Sequence, residues 1–590
     1  MFLAAASNAS AKTLYLEPGI WEQANAWYAI YYFQNDQDKG WSNKMTSVGG
    51  GVYTATIPDQ YSKVIFCRMD PSKQAFDWSS RWDQTADLTI PSDKDMYSIT
   101  DWGQGTNVCP GEWLKYNSGG DTPGGGGDDP VTPSDYETAV PSQCTDVMLQ
   151  AFYWESNRSD RGFGDTKWQT LTGQASEIGS YFDMVWLPPS ALASGISLGG
   201  LGYIPLQYSN QGCLMGKRSY LEALITALHN NGVRVIADIV INHVGNESGN
   251  CDGFRSLDFG TYGTFYPNKN WLTSDDEGNC GSTGQPDDGQ HRDEKTSYDF
   301  NAARDWDHKN TSVQNMCKAY LKWMKAEMKY DGFRYDMVGG YHVSHVNDYN
   351  VASKPYFSVM EYWVGNANEL KTRIDDASKN TLAFDFAAKY DVYRDGIYYK
   401  NYSKLVNPGL RGKGYSKYAV TFIDNHDTFN RGNGNEPNGA GDGSSINDKS
   451  LMMRCNAYLL SMPGVPCVFY PHWVKYKSDI KAMINARRMA GIHSESSVQE
   501  ESGSGYYRAT VQGKYGSVKL MLGTAANDAA PTGYTQAVKG TDYAMYYTGT
   551  GPQGVENVQS EQKGEKFIEN GQLYIRCGEH VFDAQGRRIY

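Results

Sequence analysis

Basic residues are in the minority in this 590-residue chain: 54 Lys and Arg stand against 67 Asp and Glu, a net charge of −13. Nucleic acids and anionic membrane surfaces are bound through basic faces, so the balance argues against both as partners. No run of 18 or more apolar residues occurs, and the sequence therefore predicts no membrane-spanning helix. The charge pattern favours an uncharged partner.

Cysteine spacings typical of metal or redox sites are also lacking. The ten Cys contain no CxxC pair and no Cys/His arrangement of the zinc type. Two pairs are compatible with disulfides in an oxidising compartment: Cys251 with Cys280, which bracket a Gly- and Asp-rich loop, and Cys67 with Cys109. Buried free thiols are the equally open alternative for both pairs.

The first residues, MFLAAASNASA, are similar to the remnant of a cleaved signal peptide, although the basic start and the full apolar stretch are missing. We expect a secreted or cell-envelope protein, extracellular or periplasmic.

Aromatic residues make up 13% of the chain, with 43 Tyr and 15 Trp. Their flat faces can stack on the apolar faces of sugar rings, whereas ordinary core packing is the simpler explanation for any single one of them.

The length predicts two to four domains. A stretch rich in Gly, Pro, Asp and Ser, residues 117–134, is typical of a flexible linker. Short strand-like runs before it predict a β-sandwich. After it, eight apolar strand-like runs with intervening helices predict an α/β fold, the (β/α)₈ TIM barrel. The predicted limits are 13–112 for the sandwich, 113–139 for the linker, 140–495 for the barrel with an inserted subdomain after strand three at about 244–308, 496–548 for a C-terminal β-domain and 549–590 for a tail of unknown role.

Polar residues follow four of the predicted barrel strands, in the segments DIVINH, GFRYD, SVMEYW and FIDNHD. The ends of barrel strands converge at one mouth, so these segments predict a single site built from residues far apart in the chain. A lone Asp or His at a strand end is more often a cap or a solvated charge. Four such segments in order make a shared site the better explanation.

These four segments resemble the four sequence regions of the α-amylase family of glycoside hydrolases. The flanking segments MLQAFYWES, WLPP, GYIP and PGVPCVFY are most similar to plant-type α-amylases, and the resemblance runs from about residue 146 to 548. It implies retaining endo-hydrolysis of α-1,4-glucosidic bonds in starch and maltooligosaccharides. Asp336 then matches the nucleophile, Glu361 the general acid/base and Asp427 the carboxylate that stabilises the transition state. In retaining glycosidases the first two carboxyl groups lie roughly 5–5.5 Å apart.

The resemblance also implies residues that contact the sugar. His243 and His426 match residues that hydrogen-bond sugar hydroxyls, and Tyr203 matches the aromatic platform beneath the sugar. Arg334 precedes Asp336 by two residues and shares its side of the strand, where its charge keeps a nucleophile ionised. The acid/base must instead keep its proton, so we expect a raised pKa for its carboxyl.

A calcium site is implied by the same resemblance, through the Asn242 side chain, the Asp307 carboxylate and the backbone carbonyl of Gly340. Hard oxygen ligands of this kind suit Ca²⁺. One position departs from the family: Gly339 stands where many members carry a Lys that contacts the sugar on the leaving-group side. Tyr341 or His342 is the candidate substitute.

Residues 13–102 loosely resemble starch-binding modules of bacterial amylases, and Trp41 with Tyr31, assisted by Lys44, is the expected binding pair. Packing within the sandwich is the alternative for these aromatics.

We expect the chain to be a monomer, and two other functions remain open for it. One is a related α-glucan transferase or maltooligosaccharide-producing hydrolase. The other is a non-catalytic starch-capture protein, against which the presence of all three carboxylates argues.

Overall fold

The computed structural model describes most of the chain between residues 11 and 583. The described ranges are 11–21, 25–35, 37–49, 52–92, 94–103, 106–114, 138–160, 162–194, 201–246, 251–275, 280–286, 288, 303–429, 446–551, 565–569, 572–577 and 580–583. Residues 115–137 of the predicted linker and residues 1–10 of the signal-like start lie outside them. Among the described residues, no helix combines the length and the apolar character needed to cross a membrane.

The N-terminal part is a β-sandwich, as predicted. Its strands are β1 (Ala11–Glu17), β2 (Trp27–Phe33), β3 (Lys39–Trp41), β4 (Thr46–Gly49), β5 (Val52–Pro58), β6 (Lys63–Met69), β7 (Arg81–Gln84), β8 (Leu88–Thr89), β9 (Met96–Ile99) and β10 (Gly111–Leu114). One sheet has the order β10-β9-β1-β5-β4, and the other has the order β3-β2-β6-β7 with β8 beside β6.

Alternation along β2 explains the sandwich. Tyr28 and Ile30 point into the core between the sheets, whereas Trp27 and Ala29 belong to a second apolar cluster on the outer face. Both faces of this strand therefore carry apolar side chains. An outer apolar face on a small module needs a cover or a ligand.

The part after the predicted linker and before the C-terminal β-domain contains fourteen strands within the described residues. They are β11 (Met148–Gln150), β12 (Met184–Trp186), β13 (Leu192–Ala193), β14 (Pro205–Gln207), β15 (Arg234–Ile239), β16 (His243–Val244), β17 (Leu257–Asp258), β18 (Thr264–Phe265), β19 (Arg304–Asp305), β20 (Gly332–Tyr335), β21 (Phe357–Met360), β22 (Leu382–Phe384), β23 (Ala419–Phe422) and β24 (Val465–Phe469). Eight of them close into a parallel barrel in the order β11-β12-β15-β20-β21-β22-β23-β24. All eight predicted barrel strands are confirmed.

Helices surround the barrel. They are α1 (Trp168–Gly179), α2 (Arg218–His229), α3 (Thr311–Ala326), α4 (Ser344–Ser353), α5 (Ala367–Asp376), α6 (Phe386–Ala388), α7 (Lys449–Ser461), α8 (Tyr470–Lys475) and α9 (Lys477–Ala490). In α2 the buried residues Leu221, Leu224, Ile225 and Leu228 recur at three- and four-residue spacing, which is the helical period. A π-helical segment, Lys389–Tyr398, follows α6.

The predicted cysteine pairs have different outcomes. Cys251 and Cys280 form a disulfide in the inserted segment, so that alternative is confirmed. Cys67 and Cys109 are both buried free thiols, and a disulfide between them is wrong. Cys67 lies in the outer apolar cluster of β6, whereas Cys109 lies in the core between the sheets, so the sheet itself separates them.

Two further sheets complete the chain. The C-terminal β-domain has the order β25-β26-β27-β29-β28, and a three-stranded sheet, β30-β31-β32, forms in the tail. These strands are β25 (Ser497–Gly503), β26 (Tyr506–Gln512), β27 (Ser517–Gly523), β28 (Thr535–Gly540), β29 (Tyr543–Tyr547), β30 (Glu565–Glu569), β31 (Gln572–Cys577) and β32 (His580–Asp583). The C-terminal β-domain lies where the sequence predicted it, whereas the sheet in the tail was not predicted; the domain limits stay predictions.

Candidate active site

The buried guanidinium of Arg334, on β20, is the centre of the site. Its Nη1 donates to Asp336 Oδ1 at 2.6 Å and to Asp238 Oδ1 at 2.8 Å. Its Nη2 forms an ion pair with Glu361 Oε1 at 2.7 Å. One fully buried positive charge therefore joins three carboxylates from the ends of three neighbouring strands. The predicted convergence of Arg334, Asp336 and Glu361 is present in the structure.

Glu361 follows β21 directly and is buried. Its Oε2 accepts a hydrogen bond from the backbone N–H of Met337 at 3.0 Å. Burial raises the pKa of the Glu361 carboxyl to about 8, against the lowering effect of Arg334, and the nearby Asp336 and Asp427 carboxylates raise it further. The raised pKa agrees with the expectation for a group that must carry a proton near neutral pH.

Asp238 was not predicted as a site residue, although it begins the DIVINH segment. It lies within the largely buried strand β15, where its Oδ2 accepts from Tyr203 Oη at 2.8 Å and from Trp186 Nε1 at 3.0 Å. Burial raises the pKa of its carboxyl to about 7. A charged residue inside a buried strand was the available signal, because such a group needs partners. Asp238 thus fixes the hydroxyl end of Tyr203 and one side of Arg334.

Asp427 lies across the mouth, on the loop after β23, and its side chain is 31% exposed. Trp154 Nε1 donates to Asp427 Oδ1 at 3.0 Å, and His426 Nε2 lies 3.2 Å from Asp427 Oδ2. Gln150 Nε2 lies 3.0 Å from His426 Nδ1. Trp154 and Gln150 were not predicted as site residues, because they lie in the flanking segment MLQAFYWES and not in one of the four motif segments.

Aromatic rings line the same mouth. Tyr203 and His426 stack with ring centroids 5.2 Å apart, and Trp154 lies 5.5 Å from Tyr203. His243 is buried, and its Nε2 lies 2.8 Å from the backbone oxygen of Tyr203. Burial lowers the pKa of the His243 imidazole, which favours its neutral form. The three predicted sugar-contact residues Tyr203, His243 and His426 are therefore neighbours.

A second buried charge cluster supports the loop that carries Asp427. Asp424 is fully buried, 3.7 Å from Lys389 Nζ and 3.3 Å from His472 Nε2. These partners lower the pKa of the Asp424 carboxyl, although its burial alone would raise it. Asn425 Oδ1 accepts from the backbone N–H of Asp427 at 3.0 Å, which fixes the turn. The spacing along the chain gave no sign of this cluster.

The predicted calcium ligands include a buried side-chain oxygen that accepts no hydrogen bond from the described residues. Asn242 is buried, and its Oδ1 has no hydrogen-bond partner within the described residues, while Nδ2 donates to Asp305 at 3.1 Å. A Cβ placed on Gly340 would meet Asn242 Oδ1 at 1.9 Å, so this oxygen faces the Gly340 backbone. The Asp307 carboxylate is buried and accepts from the backbone N–H groups of Gln285 and Lys309. An orphaned hard oxygen beside a buried carboxylate loop fits a hard cation.

Tyr341 does not replace the ammonium that Gly339 lacks. Its ring is buried and stacks on His308 at 4.2 Å, away from solvent. His342 is partly exposed, and its Nδ1 lies 2.8 Å from Ser344 Oγ. Of the two candidate substitutes, only His342 keeps an accessible side chain.

The predicted module residues Tyr31 and Trp41 lie together on the outer face of the sheet β3-β2-β6-β7. Their ring centroids are 5.0 Å apart, and both rings contact Trp78, at 4.7 and 5.1 Å. Trp78 is 40% exposed and was not predicted. Lys44 is exposed, 5.8 Å from the Trp27 ring. We call Tyr31, Trp41 and Trp78 the aromatic patch; its rings lie outside the core between the sheets.

Comparison with known proteins identifies relatives of the barrel part of the chain. The family profile described as "Alpha amylase, catalytic domain" matches residues 182–381. "Alpha-amylase 3, chloroplastic" from Arabidopsis thaliana is 31% identical over 430 residues, which cover 68% of this chain and 44% of that protein. "Probable alpha-amylase 2" from Arabidopsis thaliana is 29% identical over 428 residues, which cover 68% of this chain and 94% of that protein.

A solved structure shares the fold. It is a "Gamma-CGTASE from Alkalophilic bacillus clarkii", with a TM-score of 0.50 and 14% sequence identity over 75% of each chain. The barrel, the four motif segments and the plant relatives lead to the same conclusion: the chain belongs to the α-amylase family of glycoside hydrolases.

Proposed function

We propose that the chain is an α-amylase that hydrolyses internal α-1,4-glucosidic bonds of starch with retention of configuration. The observation that carries this proposal is the shared guanidinium: Arg334 contacts both Asp336 and Glu361, so that both carboxyl groups face one point of the barrel mouth. Arg334 contacts both groups, and burial together with the nearby Asp336 and Asp427 carboxylates raises the pKa of Glu361, which favours its protonated form near neutral pH. A separation of roughly 5–5.5 Å between the two carboxyl groups stays a prediction.

The reaction follows from these environments. Asp336 attacks the anomeric carbon while Glu361 gives its proton to the leaving glycosidic oxygen, and the C–O bond breaks. Glu361, now ionised, takes a proton from water, whose oxygen displaces Asp336 and releases the sugar with its original configuration. Asp427 stabilises the positive charge that develops on the sugar ring. Trp154 and His426 hold Asp427 in place for this role.

The stereochemistry of the first product tests the proposal. We expect proton NMR during digestion of soluble starch to show the α-anomer before mutarotation, because two displacements at one carbon restore its configuration. Iodine staining should fall faster than reducing ends accumulate if internal bonds are cut. Immediate β-anomer would contradict the double displacement. Products longer than the supplied maltooligosaccharide would favour the transferase, and no sugar release would favour the capture protein.

A calcium ion bound by Asn242, Asp307 and the Gly340 carbonyl is part of the proposal. When bound, it would neutralise the buried carboxylate and join the inserted segment to the barrel mouth. We expect chelation to lower the melting temperature by about 5 °C or more, since a ligand at 100 times its Kd adds about 2.7 kcal/mol of stability. Added Ca²⁺ should restore it. An equal melting temperature with and without chelator would contradict the site, and Asn242→Ala should remove the calcium response.

The sandwich is proposed to bind starch through its aromatic patch. Its rings lie outside the core, and no charged group of opposite sign is needed to bind a neutral glucan.

The disulfide between Cys251 and Cys280 supports the proposal of a secreted or cell-envelope location, because such bonds persist in oxidising compartments.

A further inference from the structure

The sheet β10-β9-β1-β5-β4 carries an acidic row on its outer face. Leu16 and Tyr97 belong to the core between the sheets, so their chain neighbours Glu17 and Ser98 point outward. In the strand register Ser98 pairs with Glu17 on one side and with Glu112 on the other. Ser98 Oγ donates to Glu17 Oε2 at 2.6 Å. The three residues form one continuous row across three strands, which we call the acidic row.

Two of the three residues of the acidic row are shielded from solvent, whereas the Glu112 side chain is 42% exposed. Ser98 is 1% exposed and Glu17 is 8% exposed, and Met96, on the same face, is 4% exposed without belonging to the module core. The outer face of an isolated small sandwich would leave such residues in water. Burial raises the pKa of the Glu17 carboxyl, as expected where another part of the protein covers it.

The cover is the first turn of barrel helix α2. Glu112 Oε1 accepts from Lys217 Nζ at 3.0 Å and also from the Tyr220 hydroxyl. The charges of Lys217 and Arg218 also act on Glu17. Lys217 is the N-cap of α2 and makes no side-chain capping bond, so the positive helix end faces the module without a cap of its own. Carboxylates are favoured at such a helix end.

We propose that the acidic row is a docking surface for the N-terminus of α2, which holds the module in one position on the catalytic barrel. The predicted linker, residues 113–139, separates the module from the barrel in the sequence. The contact joins residues on both sides of that linker through a carboxylate, an ammonium and a phenol, none of which belongs to the catalytic site.

The docked position fixes where the aromatic patch points. The acidic row and the patch lie on the outer faces of opposite sheets of the sandwich. Docking through one face therefore directs the other away from the barrel. If the patch binds starch as proposed above, it does so on the side remote from α2, and it remains open to a large insoluble substrate.

Charge reversal tests the docking without using starch. In the full-length protein, Glu112→Lys and Lys217→Glu each place like charges together, and the double variant restores opposite charges. We expect either single variant to increase the radius of gyration from small-angle X-ray scattering. We also expect hydroxyl-radical oxidation of Met96 to rise about five-fold or more as the contact opens. Both values should return towards those of the unchanged protein in the double variant.

Two controls separate undocking from unfolding. Met45 is 2% exposed in the module core, and its oxidation rate should not change in any variant. Arg508→Glu reverses an exposed pair within the C-terminal β-domain, with Glu501 and Asp528 as partners, and should alter neither readout. The docking would be overturned if the scattering curve of the unchanged protein could be fitted only by many positions of the module away from the barrel. The docking would also be overturned if both single variants kept the radius of gyration and the Met96 oxidation of the unchanged protein. The same holds if the double variant kept the raised values of the single variants while Met45 stayed protected.

Discussion

Glu361→Gln is expected to reduce the turnover of soluble starch by about 10³-fold, within the range that general acid–base catalysis supplies. Glutamine keeps the size and the acceptor oxygen of the side chain, but it has no acidic proton for the leaving oxygen. Binding of maltooligosaccharides should persist, because the rings of Tyr203 and Trp154 are untouched. Stopped-flow or calorimetric binding beside steady-state turnover separates the two effects.

The same residue sets the alkaline limit of activity. The pKa of Glu361 is raised to about 8, so the acid form persists through neutral pH and is lost above that value. We expect kcat/KM to fall about ten-fold per pH unit above pH 8, since one proton is required in the free enzyme. Glu369→Gln, the same change on α5, should keep both the rate and the pH profile. Near-normal turnover in Glu361→Gln would refute the acid/base role.

Trp41→Ala together with Trp78→Ala is expected to weaken adsorption to starch granules by about 30-fold or more, since the loss of even one aromatic anchor costs about 2 kcal/mol of binding free energy. Activity on short maltooligosaccharides should remain, because these rings belong to the sandwich and the carboxylates to the barrel. Sedimentation of the protein with granules measures the first effect and sugar release the second.

A matched variant controls this experiment. Trp102 is also an exposed Trp of the module, 36% exposed, but it lies against Arg68 and outside the aromatic patch. Trp102→Ala should keep granule adsorption unchanged. Equal losses in both variants would mean that the effect comes from destabilising the sandwich, and undiminished adsorption of the double variant would contradict a starch site at the patch.

The sequence predicted the barrel well because most residues of each strand are apolar, which is typical of strands covered on both faces. Asp336 and Glu361 directly follow such runs and Asp427 lies on the loop after one, which made them candidates, and the family resemblance implied their roles. The strand ends of a barrel meet at one mouth, so order along the chain was enough to predict their convergence.

Residues whose role depends on contacts between distant strands were not predictable in this way. Asp238 becomes important only because β15 and β20 are neighbours, which places its carboxylate on Arg334. Trp154 reaches Asp427 across 273 residues of sequence. The disulfide between Cys67 and Cys109 was wrong for the same reason. The sequence does not show which face of a sheet a cysteine lies on until the neighbouring strands are known.

The shared guanidinium of Arg334 has a consequence for what the mouth attracts. Four acidic side chains, Asp238, Asp336, Glu361 and Asp427, border a space whose central fixed cation is one arginine. Even with one or two of the four neutral, the cavity has a surplus of negative potential. A sugar ring that becomes cationic for an instant gains from that potential, whereas a neutral glucan at rest gains little. Amine-bearing sugar mimics should accordingly be held more tightly than their uncharged counterparts.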